Sequence, residues 1–196
     1  SLDKSMKAFS IDPKMKNELL NLYTTLSTYK EVPETLKILK EKKFKLAILS
    51  NGTPSLLNQL IKSNNLDNLF DDLFSIEDVK IYKPDSKVYD IPIKKYQIEK
   101  NEVAFLSANT WDVSGGGNYG YNSIWVNRNK NIFDKLDYTP NFEIRDLSKL
   151  IDIIWSVHLA LSINLQKYNV FIKKEKNEWK KNVTFEIYSD SEKMLE

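Results

Sequence analysis

The stretch FKLAILSNGTPSLLNQLIKSN (residues 44–64) decides the fold. Its β-prone apolar run, Lys45–Leu49, turns polar at Ser50-Asn51-Gly52-Thr53 and enters a helical run at Pro54, a residue that suits a first turn because its missing N–H costs nothing there. Working outward, a helical reading over Pro33–Lys42 precedes it. Further β-rich runs follow at Leu73-Phe74-Ser75, Val103–Leu106, Ser123–Val126 and Phe142-Glu143-Ile144. Stretches of helical length, Pro54–Asn64, Lys87–Tyr96 and Leu147–Ile154, lie around and between them. Alternation of this kind predicts a three-layer α/β domain: a parallel sheet covered by helices.

Two segments stand outside the repeat. Residues 1–30 read mostly as helix, with Met15, Leu19, Leu22, Tyr23 and Leu26 spaced to give one apolar face. After Trp155 the alternating runs Tyr168–Ile172 and Val183–Tyr188 suggest a β-hairpin with a long connection. Lys173, Lys174, Lys176, Lys180 and Lys181 fall between them, and the interruption by Glu175 and Glu178 makes this a solvated face rather than a phosphate contact.

Composition narrows the function. The 196 residues carry 29 Lys+Arg against 27 Asp+Glu, a formal charge of +2 that gives no strong attraction to nucleic acid or anionic lipid. No apolar stretch approaches the roughly 20 residues of a spanning helix, so no membrane partner is expected and a cytoplasmic location is. With no cysteine and the single His158, there is no thiol chemistry and no His/Cys zinc cluster; His158 is read as structural.

Ligands of parallel α/β sheets bind beyond the carboxyl ends of the strands, so polar residues there are the first suspects. Ser50 and Asn51 lead into a helix N-terminus suited to an anion, although such residues also serve simply as caps. Lys83, biased toward an extended conformation by Pro84, can hold a carboxylate or offset the charge of a nucleophilic acid; it also reads as a surface lysine, and Tyr89 as helix packing. Ser107, Asn109 and Asp112 can orient a substrate and a water while Trp111 walls off an apolar pocket. The alternative is that Asp112 caps the next helix and Trp111 is core.

Taken together, LAILSNGTP, VKIYKPDSKVYD and VAFLSANTWDVSGGGNYGYNSIWVNR resemble the L-2-haloacid dehalogenases of the haloacid dehalogenase-like superfamily, over most of residues 10–155. The resemblance implies a Rossmann-like core with a helical cap, and hydrolytic removal of halide from short (S)-2-haloalkanoic acids by way of an aspartyl ester. It implies that Ser50 binds the substrate carboxylate and Asn51 helps cradle the halide. Lys83 stabilises the nucleophile, with Tyr89 holding the array. Ser107 and Asn109 position groups around the nucleophile, Asp112 pairs with Lys83 and helps activate water, and Trp111 lines the alkyl pocket. Magnesium-dependent phosphatases of the superfamily have a motif like Gly-Asp-Ser-x-x-Asp where this chain has Ser107-Ala108-Asn109-Thr110-Trp111-Asp112. Ala108 replaces the first acid, so neither a metal nor another cofactor is expected.

The family's Asp-x-Tyr-Gly-Thr nucleophile motif is not found in this sequence. No Asp in residues 1–43 follows an apolar β-run, and the only arginines are Arg128 and Arg145, neither in the cap. The expectation is therefore a partial helical cap at 1–30, a core at 31–155 and a carboxyl-terminal extension at 156–196, with a chain that does not turn over alone. In this fold the nucleophile strand is central, and Val183–Tyr188 is long enough to fill the gap. Gly116 and Gly117 have no functional account. Exposed cap helices leave room for a homodimer. The competing readings are a non-catalytic binding or interaction protein that keeps the fold, and a magnesium-dependent phosphatase, which Ala108 opposes.

Overall fold

The computed structural model of the chain describes residues 2–154 together with the backbone of 182–185. Six parallel strands form one sheet: β1 (Lys45–Ser50), β2 (Asp72–Ser75), β3 (Val103–Ser107), β4 (Asn122–Val126), β5 (Phe142–Ile144) and β6 (Asn182–Phe185), in the spatial order β2-β1-β6-β3-β4-β5. The helices are α1 (Leu2–Ala8), α2 (Lys16–Leu22), α3 (Val32–Glu41), α4 (Pro54–Ser63), α5 (Ser86–Tyr96) and α6 (Thr110–Tyr119). A 3-10 turn at Leu147–Lys149 runs into helical residues 150–154. Every core strand and helix expected from Pro33 onward is present, with ends shifted by one or two residues.

Strand alternation divides the core in two. Leu46 and Ile48 of β1 point to one side, with Leu36 and Leu39 of α3, Leu57 and Ile61 of α4, and Leu150. Ala47 and Leu49 point to the other, with Phe105 of β3 and Val88 and Tyr89 of α5. Both sides of the sheet are thus buried, which is why its strands are nearly continuous apolar runs.

β6 lies at the centre of the sheet, where the gap between β1 and β3 was expected to need a filler. Lys45 to Ile48 pair in parallel with Asn182 to Phe185, and so do Val103 to Leu106. Both edges of β6 are therefore occupied by core strands. Its expected hairpin partner, Tyr168–Ile172, lies outside the described residues, as do His158 and the five lysines of the tail.

The amino-terminal segment departs from its sequence pattern. α2 buries no residue, and Met15 and Leu22, both on the expected apolar face, are 42% and 41% exposed. The helix also stops before that face is complete. Thr24 Oγ1 donates to Asn21 O at 2.7 Å and Thr25 Oγ1 to Leu22 O at 3.3 Å, the local side-chain bonds by which threonines compete with a continuing helix. The segment that follows is tied to the core through Asn64, whose Oδ1 accepts from Thr28 N and whose Nδ2 donates to Leu26 O.

Candidate active site

Three strand ends converge above the carboxyl edge of the sheet. β1 delivers Ser50, whose Oγ accepts from Gly52 N at 3.0 Å and so shapes the turn into α4. Thr53 caps α4 by accepting from Leu56 N. Asn51 Oδ1 accepts from Lys83 N at 3.0 Å, joining the first polar motif to the second. Ser75, at the end of β2, donates through Oγ to Gly52 O at 2.8 Å.

Lys83 is not a surface lysine. Its side chain is fully buried, and its Nζ donates to Leu49 O at 3.1 Å and to Asp112 Oδ2 at 3.2 Å. Asp112 is equally buried and accepts from Tyr89 OH through its other oxygen at 2.8 Å. The position of Asp112 in the first turn of α6 makes it a member of this array rather than the helix cap, which falls on Asn109. Taking an ammonium and a carboxylate out of water is costly, and the contacts with each other, a carbonyl and a phenol offset that cost.

The glycine run has a packing reason. A methyl group on Gly115 would collide with the Tyr89 hydroxyl and lie 2.8 Å from Pro84 Cβ, and one on Gly116 would lie 2.6 Å from the Phe105 ring. A methyl on Gly117 would collide with Tyr138. α6 consequently sits close enough to the sheet and α5 for Tyr89 to reach Asp112. Tyr121 OH in turn donates to Tyr89 O, and burial, with Tyr119 and Asp90 nearby, pushes the Tyr121 phenol far above its usual range, so it remains a donor.

β3 delivers Ser107, buried, whose Oγ accepts from Asn109 N at 3.1 Å. Asn109 Nδ2 is buried without a hydrogen-bond partner among the described residues. Trp111 is half-buried and lines a separate cavity of about 470 Å³ with Pro84, Ser86, Ser114, Gly115 and Leu136. The structure therefore brings Asn51, Lys83, Tyr89 and Asp112 into one bonded array, places Ser50, Ser107 and Asn109 at the adjoining strand ends, and sets Trp111 in a cavity that none of these lines. Ser75 was missed, although it closes a strand as Ser50 and Ser107 do. The Trp125 Nε1 bond to Ala108 O, which pins the loop after β3, has no such signal.

A Rossmann-like parallel sheet with a buried Lys–Asp pair at its carboxyl edge defines an α/β enzyme core of the three-motif kind read from the sequence. The family model of the haloacid dehalogenase-like hydrolases matches residues 3–126. The (S)-2-haloacid dehalogenase of Pseudomonas sp. strain YL is 33% identical over 143 residues, covering 73% of this chain and 62% of that protein. (S)-2-haloacid dehalogenase 4A of Burkholderia cepacia is 34% identical over 153 residues, covering 78% and 63%. A crystal structure of an L-2-haloacid dehalogenase superposes with a TM-score of 0.75 at 28% identity, over 79% of this chain and 69% of that one. The chain belongs to the haloacid dehalogenase-like hydrolases. It spans 62% and 63% of the length of the two curated relatives. Among the described residues no helix is long and apolar enough to cross a membrane.

Proposed function

We propose that the site serves hydrolytic dehalogenation of short (S)-2-haloalkanoic acids, and the observation that carries this reading is the buried Lys83–Asp112 pair held by Tyr89. In the reaction an aspartate carboxylate of the nucleophile motif, the segment not found in this sequence, attacks C2, the carbon–halogen bond breaks, and the halide leaves with the bonding electrons. Water then attacks the ester carbonyl and releases the 2-hydroxy acid, regenerating the carboxylate. The sum is one water consumed, with one halide and one proton released. Displacement at C2 inverts it and ester hydrolysis leaves it untouched, so an (S)-2-chloro acid gives an (R)-2-hydroxy acid.

Each residue has a role that its position supports. Ser50, at the head of α4, holds the substrate carboxylate where backbone N–H groups favour an anion. Asn51 and Lys83 stabilise the departing halide and the attacking carboxylate with donors fixed before reaction. Ser107 and Asn109 orient the nucleophile. Asp112, kept in place by Lys83 and Tyr89, takes the proton of the hydrolytic water.

Ala108 leaves this strand end with Asp112 as its one acid, a poor donor set for magnesium. Calorimetric titration with both enantiomers of 2-chloropropionate tests the reading. Saturable binding of the (S) enantiomer, weaker for the (R) enantiomer and lost in Lys83→Met, is expected. Absence of binding, together with magnesium-stimulated phosphate release from a phosphomonoester, overturns it in favour of a phosphatase.

A further inference from the structure

We propose that Ser75, at the end of β2, is a positioning residue for the substrate carboxylate: its hydroxyl aims the turn at residues 50–53 that receives the anion. The inference rests on the dehalogenase reading and deepens it by naming the group that holds this turn in place.

Three strands end alike. Ser50, Ser75 and Ser107 are all buried, and the Oγ of each accepts from the backbone N–H two residues on, that of Gly52, Glu77 and Asn109 respectively. Ser75 also reaches across to the end of another strand. It stands beside Ser50 in the β1–β2 ladder, and its Oγ donates to Gly52 O at 2.8 Å. A hydroxyl has one proton and two lone pairs. The Ser75 proton is thus committed to Gly52 and a lone pair to Glu77 N.

Gly52 is held through both of its backbone groups, its N–H by Ser50 and its carbonyl by Ser75. In the trans Gly52–Thr53 peptide the N–H runs opposite to the C=O. With the carbonyl drawn to Ser75, Thr53 N–H is turned away from β2. Thr53 heads the ten-residue helix α4, where backbone donors favour an anion. Ser50 spends a lone pair on Gly52 N and so keeps its proton for donation. These two donors can hold a carboxylate, and the Ser75 bond fixes the first directly and the second through Gly52.

A second staple secures the same turn. Asn51 Oδ1 accepts from Lys83 N, and the bond from Glu77 N to Ser75 caps the 3-10 turn Ile76–Asp78 on the way to that lysine. Loss of the Ser75 hydroxyl leaves the Asn51–Lys83 bond and the Lys83–Asp112 pair intact, while the donors for the carboxylate lose their aim.

The test is calorimetric titration of the full 196-residue chain with (S)-2-chloropropionate and with propionate, which keeps the carboxylate and lacks the halogen. Ser75→Ala is expected to weaken both acids by the same factor, about five- to tenfold. Ser75→Thr, which keeps the hydroxyl, is expected to restore wild-type affinity. Should Ser75→Ala not fold, Ser75→Cys, a weak donor of similar volume, takes its place. Wild-type affinity in Ser75→Ala overturns the inference, as does an equal loss in Ser75→Thr or a loss that propionate does not share. In each of these cases binding of the halo acid by the wild type leaves the dehalogenase reading standing. A wild-type chain that binds neither acid sinks both.

Discussion

Lys83 and Asp112 form an ion pair at 3.2 Å with neither side chain exposed to solvent. Removing one member of such a pair leaves the other's charge poorly compensated, at a cost of about 3–5 kcal/mol, whereas replacing both with apolar groups of similar volume is often close to neutral. Asp112→Asn is therefore expected to lower unfolding stability by about that amount, and Lys83→Met/Asp112→Leu to recover most of it. Urea midpoints of the three chains check this. An Asp112→Asn chain as stable as the wild type would show that the pair is not the buried pivot described above.

The glycines of α6 give a prediction of opposite sign to helix propensity. Alanine is favoured over glycine in a helix by about 1 kcal/mol, so an unconstrained Gly116→Ala would stabilise. Its added carbon would sit 2.6 Å from the Phe105 ring, and overpacking costs about 1–3 kcal/mol. A net loss of stability is expected, partly restored by Phe105→Leu in the double variant. Thermal unfolding decides between the two effects, and a higher melting temperature for Gly116→Ala would refute the tight α6 contact.

Much of this was legible in the sequence, for physical reasons that differ by region. Lys45–Ser50 and Val103–Ser107 are buried on both faces, so their apolar runs identified them without ambiguity. Ser50, Asn51, Ser107 and Asn109 followed from the rule that strand ends carry ligands. The burial of Lys83 did not follow from composition, because a lysine is recognised as buried only through its partners, and Asp112 lies 29 residues away. Spacing made the helical face of Met15, Leu19 and Leu22 look like core, yet the described residues place nothing over much of it. The close packing of Gly115 and Gly116 was invisible because it depends on Tyr89 and Phe105 from other elements.

Asp71 ties the first strand to the helix before it, and does so in a pH-dependent way. Burial alone would raise its carboxyl, but bonds from Leu46 N, Lys40 and Lys45 outweigh burial and hold the pKa below its ordinary value of 3.8. A carboxyl depressed in the folded state adds stability that is complete above its unfolded pKa and is lost as pH falls through the folded value. Asp71→Asn is therefore expected to cost about 1–2 kcal/mol at neutral pH. The gap from the wild type should close below about pH 4. Urea unfolding across that range measures it, and a gap that widens in acid would contradict the assignment.

Magnesium is expected to leave the protein unaffected. Both oxygens of Asp112 are engaged, one by Lys83 and one by Tyr89. Ala108 withholds the acid two positions after Leu106, and no group of three or more His, Cys, Asp or Glu residues able to hold an ion occurs among the described residues. A ligand that binds only the folded state raises its stability by an amount set by concentration over Kd. Melting temperatures with millimolar magnesium and with a chelator should coincide, and a saturable rise with magnesium would reverse the reading of the strand end.

Asn51 separates positioning from binding. Its Oδ1 accepts from Lys83 N at 3.0 Å, so it fixes the loop that carries the lysine as well as standing at the head of α4. Asn51→Asp keeps an oxygen for that bond and adds a negative charge beside the place proposed for an anionic substrate and a leaving halide. Repulsion at such a distance is on the order of 1–4 kcal/mol in a partly buried site, a tenfold or greater loss of affinity. Stability should change little. Asn51→Ala should do the reverse, losing about 1 kcal/mol of stability with the bond while weakening binding less. Titration of both variants with (S)-2-chloropropionate, set beside their urea midpoints, distinguishes the roles. Equal binding by Asn51→Asp and the wild type would remove Asn51 from the substrate site and leave it as a loop anchor.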